Sequence, residues 1–164
     1  MIQLFQQHNF AFLGIKKPFR KNKNAHAGGI IVYVIEDIPS TELNSFNIDE
    51  DIKGMFIKIN LRKSKWLVLA THKPPDHSRE QYFDFIRISL DFYSEKYKNI
   101  ILMGDFNITH TEEELQDFLE EQDLSNLVHF PTCSKSLDNP STIDLIITNQ
   151  KTIFQDTIGL STGL

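Results

Sequence analysis

Four polar side chains stand where apolar segments of this sequence end, and their types suit work on a phosphate ester. Asp105 and Asn107 follow the run Ile100-Ile101-Leu102-Met103-Gly104, with Phe106 between them. A carboxylate there can orient or deprotonate a water. An amide can donate to a phosphate oxygen without adding negative charge. His72 closes the apolar segment from Trp66 to Thr71 and precedes Pro74-Pro75; its charge changes near neutral pH, which suits proton transfer. Asp144 lies within Ser141-Thr142-Ile143-Asp144-Leu145-Ile146. A carboxylate among apolar neighbours is costly unless paired, and a buried Asp beside a cleft commonly holds an imidazole in one tautomer. Taken singly, Asp105-Phe106-Asn107 reads as a turn and His72 as a surface residue. Taken together, the four are expected to meet in one pocket.

Such residues need a sheet to carry them. Ile100 to Met103 has the length and composition of a strand buried on both faces, and Gly104 lets the chain pass closely or bend at its end. Ligands of open α/β sheets gather beyond the carboxyl ends of strands. Phe10 to Gly14 reads as a short strand, and Ile30-Ile31-Val32-Tyr33-Val34-Ile35 as a β-branched one. Met55, Ile57, Ile59 and Leu61 alternate with Lys58 and Asn60, predicting a half-buried strand with Phe56 as the exception. Trp66 to Thr71 is a further strand, which the proline pair ends. Ser78-Arg79-Glu80-Gln81 fits a capping box, opening a helix whose Tyr82, Ile86, Leu90, Tyr93 and Tyr97 form an apolar stripe. Thr111-Glu112-Glu113-Glu114 is a second match, with Leu115, Phe118 and Leu119 turned inward and the acids solvated near the helix start. Leu127 to Phe130 and Ile143 to Thr148 read as strands, 131–140 as a polar loop, and Ile153 to Ile158 as a last strand. Strands alternating with helices and hairpins predict an α/β fold with a mixed sheet.

At 164 residues, 40% apolar and 24% charged, the chain has the length and composition of one globular domain. Its single cysteine, Cys133, excludes an intramolecular disulfide framework. The segment Met1 to His8 lacks the basic flank and apolar run of a signal peptide, and no stretch approaches the roughly 20 apolar residues of a membrane span. An intracellular protein, nuclear or cytoplasmic, is expected. A net charge of −5 argues against a broad grip on phosphate backbone. It leaves room for one local patch, and Lys16, Lys17, Arg20, Lys21 and Lys23 are the densest candidate. That run reads as a solvated loop or as a phosphate-contacting loop beside the cleft.

Strand-Gly-Asp-Phe-Asn, ending at Asn107, resembles the endonuclease/exonuclease/phosphatase superfamily, the metal-dependent phosphodiesterases related to DNase I. Thr71-His72-Lys73-Pro74-Pro75 is similar to the Tyr-x-Pro-Pro segment of retrotransposon endonucleases, with His in place of Tyr. Ser141-Thr142-Ile143-Asp144 resembles the superfamily's Ser-x-x-Asp, Phe130-Pro131-Thr132 its Pro-Thr segment, and Gly28-Gly29-Ile30 its Gly-Gly strand. The likeness runs from about Phe10 to Leu164 and points to the endonuclease domains of non-LTR retrotransposons. It implies a DNase I-like mixed β-sheet sandwich with flanking helices, truncated, so that residues 1–164 form one partial domain. It also implies Asp105, Asn107, His72 and Asp144 as catalytic residues, and Asn107, Lys16, Lys17 and Arg20 as substrate-binding ones. Mg²⁺ would be the cofactor, DNA the partner, and a longer polyprotein with a reverse transcriptase the context.

Two departures temper that expectation. The superfamily's early strand pair, ending in Asn and carrying a metal-binding Glu, has no counterpart before Gly28, and Met1 to Phe12 holds no acid at all. Ile158 to Leu164 resembles the run before the superfamily's Ser-Asp-His, where the sequence stops. No metal ligand is therefore assigned, and a domain inactive or nearly so by itself is expected, prone to aggregate through uncovered strand edges. Two further readings stand beside it: a non-catalytic nucleic-acid-binding module, and an inositol or lipid phosphatase of the same superfamily.

Overall fold

The computed structural model describes residues 3–4, 18–22, 29–44, 52–61, 63–133 and 140–154. In chain order these form β1 (Gln3–Leu4), β2 (Phe19–Asn22), β3 (Gly29–Tyr33), β4 (Ser40–Glu42), β5 (Lys53–Leu61) and β6 (Ser64–His72). Then come α1 (Arg79–Ser94), β7 (Asn99–Asp105), α2 (Glu113–Glu121), β8 (Ser125–Asn126), β9 (Asp144–Thr148) and a 3₁₀ turn at Lys151–Ile153. One sheet has the order β4-β5-β6-β7-β9-β8, and a second has the order β1-β3-β2. Every pairing is antiparallel except β6 with β7. A parallel pair requires a crossover, and α1 supplies it.

Two apolar layers follow from strand alternation. Met55, Ile57, Ile59, Val68, Ala70, Ile101 and Met103 face β3 residues Ile30 and Val32, filling the space between the sheets. Phe56, Leu67, Leu69 and Leu102 face the other way, against Tyr82, Phe83, Phe85, Ile86 and Leu90 of α1 and Leu115, Phe118 and Leu119 of α2. The six-stranded sheet is thus covered on both sides. This corrects the half-buried strand expected at 55–61: Phe56, at 1% exposure, is the core residue of a second covered face. Of the described phenylalanines only Phe92 is largely exposed.

Ser78 does cap α1, its hydroxyl accepting from the Gln81 N–H at 3.4 Å. The stripe packs as predicted, although Tyr97 lies past the helix end. The second cap is corrected. Glu112, not Thr111, is the N-cap of α2 and has no side-chain cap bond there; its carboxylate instead accepts from the Thr109 N–H at 3.0 Å. The box pattern is real but closes two residues earlier, around the turn that leads out of β7. The strand expected at Leu127–Phe130 is corrected to Ser125–Asn126. Residues 151–153 form a 3₁₀ turn, residues 155–158 of the strand expected at Ile153–Ile158 lie outside the described residues, and so does the strand expected at Phe10–Gly14. Among those described, no helix is long and apolar enough to cross a membrane.

Candidate functional site

Because β6 and β7 run parallel, their carboxyl ends reach the same edge of the sheet, and antiparallel β9 begins there. His72 is the last residue of β6, Asp105 the last of β7 and Asp144 the first of β9. The ladders put them in register, His72 opposite Asp105 and Asp105 opposite Asp144. Residues paired in register share a face. Ala70, Met103 and Ile146, two positions inward, all belong to the layer between the sheets. The three polar side chains therefore form one row across three strands, on the between-sheet face at its open end, and each is partly exposed.

Asn107 joins the row by a turn. The Asp105 carboxylate accepts from the Asn107 N–H at 2.9 Å, and Asn107 adopts φ 48°, a left-handed conformation that Asn tolerates. Its Nδ2 donates to the Lys73 carbonyl at 2.8 Å, leaving one amide hydrogen to offer. The expected turn and the expected site are thus the same feature. Phe106, fully buried, points the opposite way and meets the Tyr82 ring edge-on at 5.6 Å between centroids. That contact anchors the turn to the helix layer.

Gly104 explains how β6 and β7 come so close. Its φ is +146°, and a Cβ there would lie 1.8 Å from the Thr71 carbonyl oxygen. Only glycine fits at the position directly before Asp105. Beyond the ladder, the Phe106 N–H donates to the Ile143 carbonyl at 2.9 Å and the Lys73 N–H to the Asp105 carbonyl at 3.0 Å. The rim is therefore tied from both sides.

Asp144 is held by Thr132, whose hydroxyl oxygen accepts from the N–H groups of Ile143 at 3.1 Å and Asp144 at 3.0 Å. Burial pushes the Asp144 carboxyl above its ordinary pKa; a hydrogen bond with Thr132 opposes that, and the neighbouring Asp105 charge adds to it. The carboxylate that the strand pattern marked as costly does carry that cost.

The basic segment is seen in part. Lys21 lies on β2 and donates from Nζ to the Gly54 carbonyl at 3.0 Å. Gly54 stands in the row of Thr71, Gly104 and Leu145, one step inward of the site, so this end of β2 reaches the same edge. Arg20 is exposed on the other face of β2, while Lys16 and Lys17 lie outside the described residues. Sequence reasoning gave no role to Lys73, which is 2% exposed. The signal for Lys73 was available: Leu67, Leu69, Thr71 and Lys73 share the helix-facing parity of β6. Among the described residues no three His, Cys, Asp or Glu side chains gather as a cation cage. Asp105 and Asp144, neighbours across β7 and β9, offer the one or two carboxylates on which Mg²⁺ rests when substrate phosphate and water complete its shell, and no step is routed through it.

Comparison with known proteins places the fold. A family model described as endonuclease-reverse transcriptase matches residues 66–162, more than half of the chain. That span contains His72, Asp105, Asn107, Thr132 and Asp144. No curated protein matches in sequence. The endonuclease domain of TRAS1, a telomere-specific non-LTR retrotransposon, superposes with a TM-score of 0.65 at 17% identity, covering 87% of this chain and 68% of that one. An endonuclease/exonuclease/phosphatase family protein from Leptotrichia buccalis gives 0.56 at 17% identity, with 82% and 59% covered. A mannosyl-6-phosphatase from Bacteroides thetaiotaomicron gives 0.59 at 14% identity, with 84% and 63% covered. At such identities the likeness shows the fold, which is DNase I-like. The chain spans 59% to 68% of the length of these three structures.

Proposed function

This chain belongs to the endonuclease-reverse transcriptase family, with a DNase I-like fold, and from that premise we propose that its polar row acts on the phosphodiester bonds of nucleic acid. The observation that carries this reading is the register of His72, Asp105 and Asp144 across three neighbouring strands. Sequence position alone separates them by up to 72 residues (144 − 72); the ladder makes them neighbours, with strands about 4.8 Å apart.

In this reading Asp105 orients the attacking water and takes its proton, while its own Oδ1 is steadied by the Asn107 N–H. The remaining amide hydrogen of Asn107 donates to a non-bridging phosphate oxygen. His72, on the far side of Asp105 from Asp144, faces the leaving oxygen and supplies a proton. Asp144 takes the role that the superfamily's Ser-x-x-Asp implies, a carboxylate that orients an imidazole, and His72, two strands away across Asp105, is not that imidazole. Mg²⁺, a polyprotein shared with a reverse transcriptase and DNA as substrate belong to the same proposal. A cation at such sites supplies several kcal/mol of charge stabilisation. Slow turnover by this chain alone is part of the same proposal. The second reading is a module that binds nucleic acid without cutting it, favoured by Lys21 of the basic segment reaching the same edge of the sheet as the row.

The test is nicking of supercoiled plasmid by excess protein with Mg²⁺, alongside the Asp105→Asn and His72→Ala variants. Slow nicking that falls by about 10²-fold or more in each variant supports the reading. Salt-sensitive binding with no nicking supports the binding module. Nicking that neither variant changes, or no affinity for duplex, overturns the assignment of the row.

A further inference from the structure

Lys73 follows His72, the last residue of β6, and its side chain is almost wholly buried; strand alternation carried one residue on puts it on the helix-facing side. Its ammonium bonds go to backbone carbonyls, Pro74 at 3.0 Å and Pro75 at 3.4 Å. Its own N–H donates to the Asp105 carbonyl, and its own carbonyl receives the Asn107 amide. One residue thus uses all three of its polar groups on the rim, two of them on the residues that border the reaction. A lysine buried this way is expensive, and an apolar side chain of similar length commonly serves stability as well or better. Stability is therefore a poor account of a lysine here.

We propose that Lys73 is a positioning residue: its ammonium clamps the Pro74-Pro75 turn and so fixes the carbonyl that holds the Asn107 amide toward the substrate. The proposal rests on the reading of the polar row given above. It also makes a distinction that a structural role does not. Removing the charge should loosen Asn107 while leaving the fold as stable as before.

The experiment uses the full chain, isotope-labelled, with Lys73→Met and Asn107→Ala as variants and a short phosphorothioate DNA duplex as the probe. Lys73→Met is expected to melt at or above the wild-type temperature. Its Asn107 side-chain amide should exchange about tenfold faster and its probe affinity fall about tenfold, the scale of one lost hydrogen bond. Asn107 exchange within about twofold of wild type in a folded Lys73→Met overturns the proposal. If Asn107→Ala leaves probe affinity unchanged, the polar row is misassigned; the link from Lys73 to Asn107 is then still decided by the exchange data.

A pH titration of the wild type keeps the proposal testable should Lys73→Met fail to fold. Burial and Arg79 lower the Lys73 pKa, opposed by Asp76, Asp105 and Glu112. The Asn107 side-chain nitrogen shift should follow the Lys73 Cε shift with one midpoint, below the ordinary lysine value of about 10.4. An Asn107 signal that stays flat through the Lys73 transition overturns the proposal.

Discussion

Gly104→Ala is the substitution whose cost can be worked most directly from the geometry. The new Cβ would sit 1.8 Å from the Thr71 oxygen and 2.9 Å from its carbonyl carbon. Against an ordinary heavy-atom separation of about 3.5 Å, the shortfall is roughly 1.7 Å. Thr71 cannot yield it by rotating a side chain, because the atoms are backbone and the residue is laddered to Gly54 and Gly104. The strands must part, next to His72 and Asp105. Backbone strain at φ +146° contributes about 1–3 kcal/mol and overpacking about 1–3 kcal/mol. At about 4 kcal/mol, a domain of this size loses roughly 8–16 °C of Tm. Thermal unfolding followed by circular dichroism reads this. Gly54→Ala is the control: its Cβ meets the Phe85 ring at 2.6 Å, a side chain that can shift, with no unusual φ. A Gly104→Ala protein that melts within about 2 °C of wild type, or above Gly54→Ala, would refute the reasoning.

Asp144→Asn should stabilise the fold at neutral pH while removing function. The folded pKa of Asp144 is raised by burial and by Asp105. Its contribution to stability is therefore present below the unfolded value of about 3.9 and is lost as pH rises through the folded value. Denaturant melts of both proteins from pH 3 to 8 check the sign; a gain that grows on acidification would contradict it. Asn107→Ala loses the bond to Lys73 and the local hydrogen bonding by which Asn tolerates left-handed backbone, costing about 1–2 kcal/mol. Asn107→Gly loses the bond but relieves the backbone and should stay within about 1 kcal/mol of wild type. Both abolish the amide contact to phosphate, so equal affinity for duplex in wild type and Asn107→Gly would count against that contact.

Much of this was legible in the sequence because the fold repeats one device. Apolar runs of strand length end in polar residues at one edge, so Asp105, His72 and Asp144 could be marked before their ladder was known. Parity then placed them on one face. What one strand's pattern could not show was the second covered surface of β5, where Phe56 looked exceptional until helices covered it. The cap of α2 was misplaced because Thr109-x-x-Glu112 and Thr111-x-x-Glu114 compete as the same signal; the tight turn out of β7 selects the first. Lys73 and Thr132 escaped assignment because their work is done through backbone groups, and residue type alone does not reveal which carbonyl a lysine will reach.

Chemical-shift mapping of the labelled chain against a non-hydrolysable phosphorothioate duplex tests the central claim most directly. The account predicts that His72, Asp105, Asn107 and Asp144 respond together, with one dissociation constant that weakens steeply with salt. Shifts confined to another surface, such as the exposed Ile88 and Phe92 face of α1, with the row silent, would contradict it.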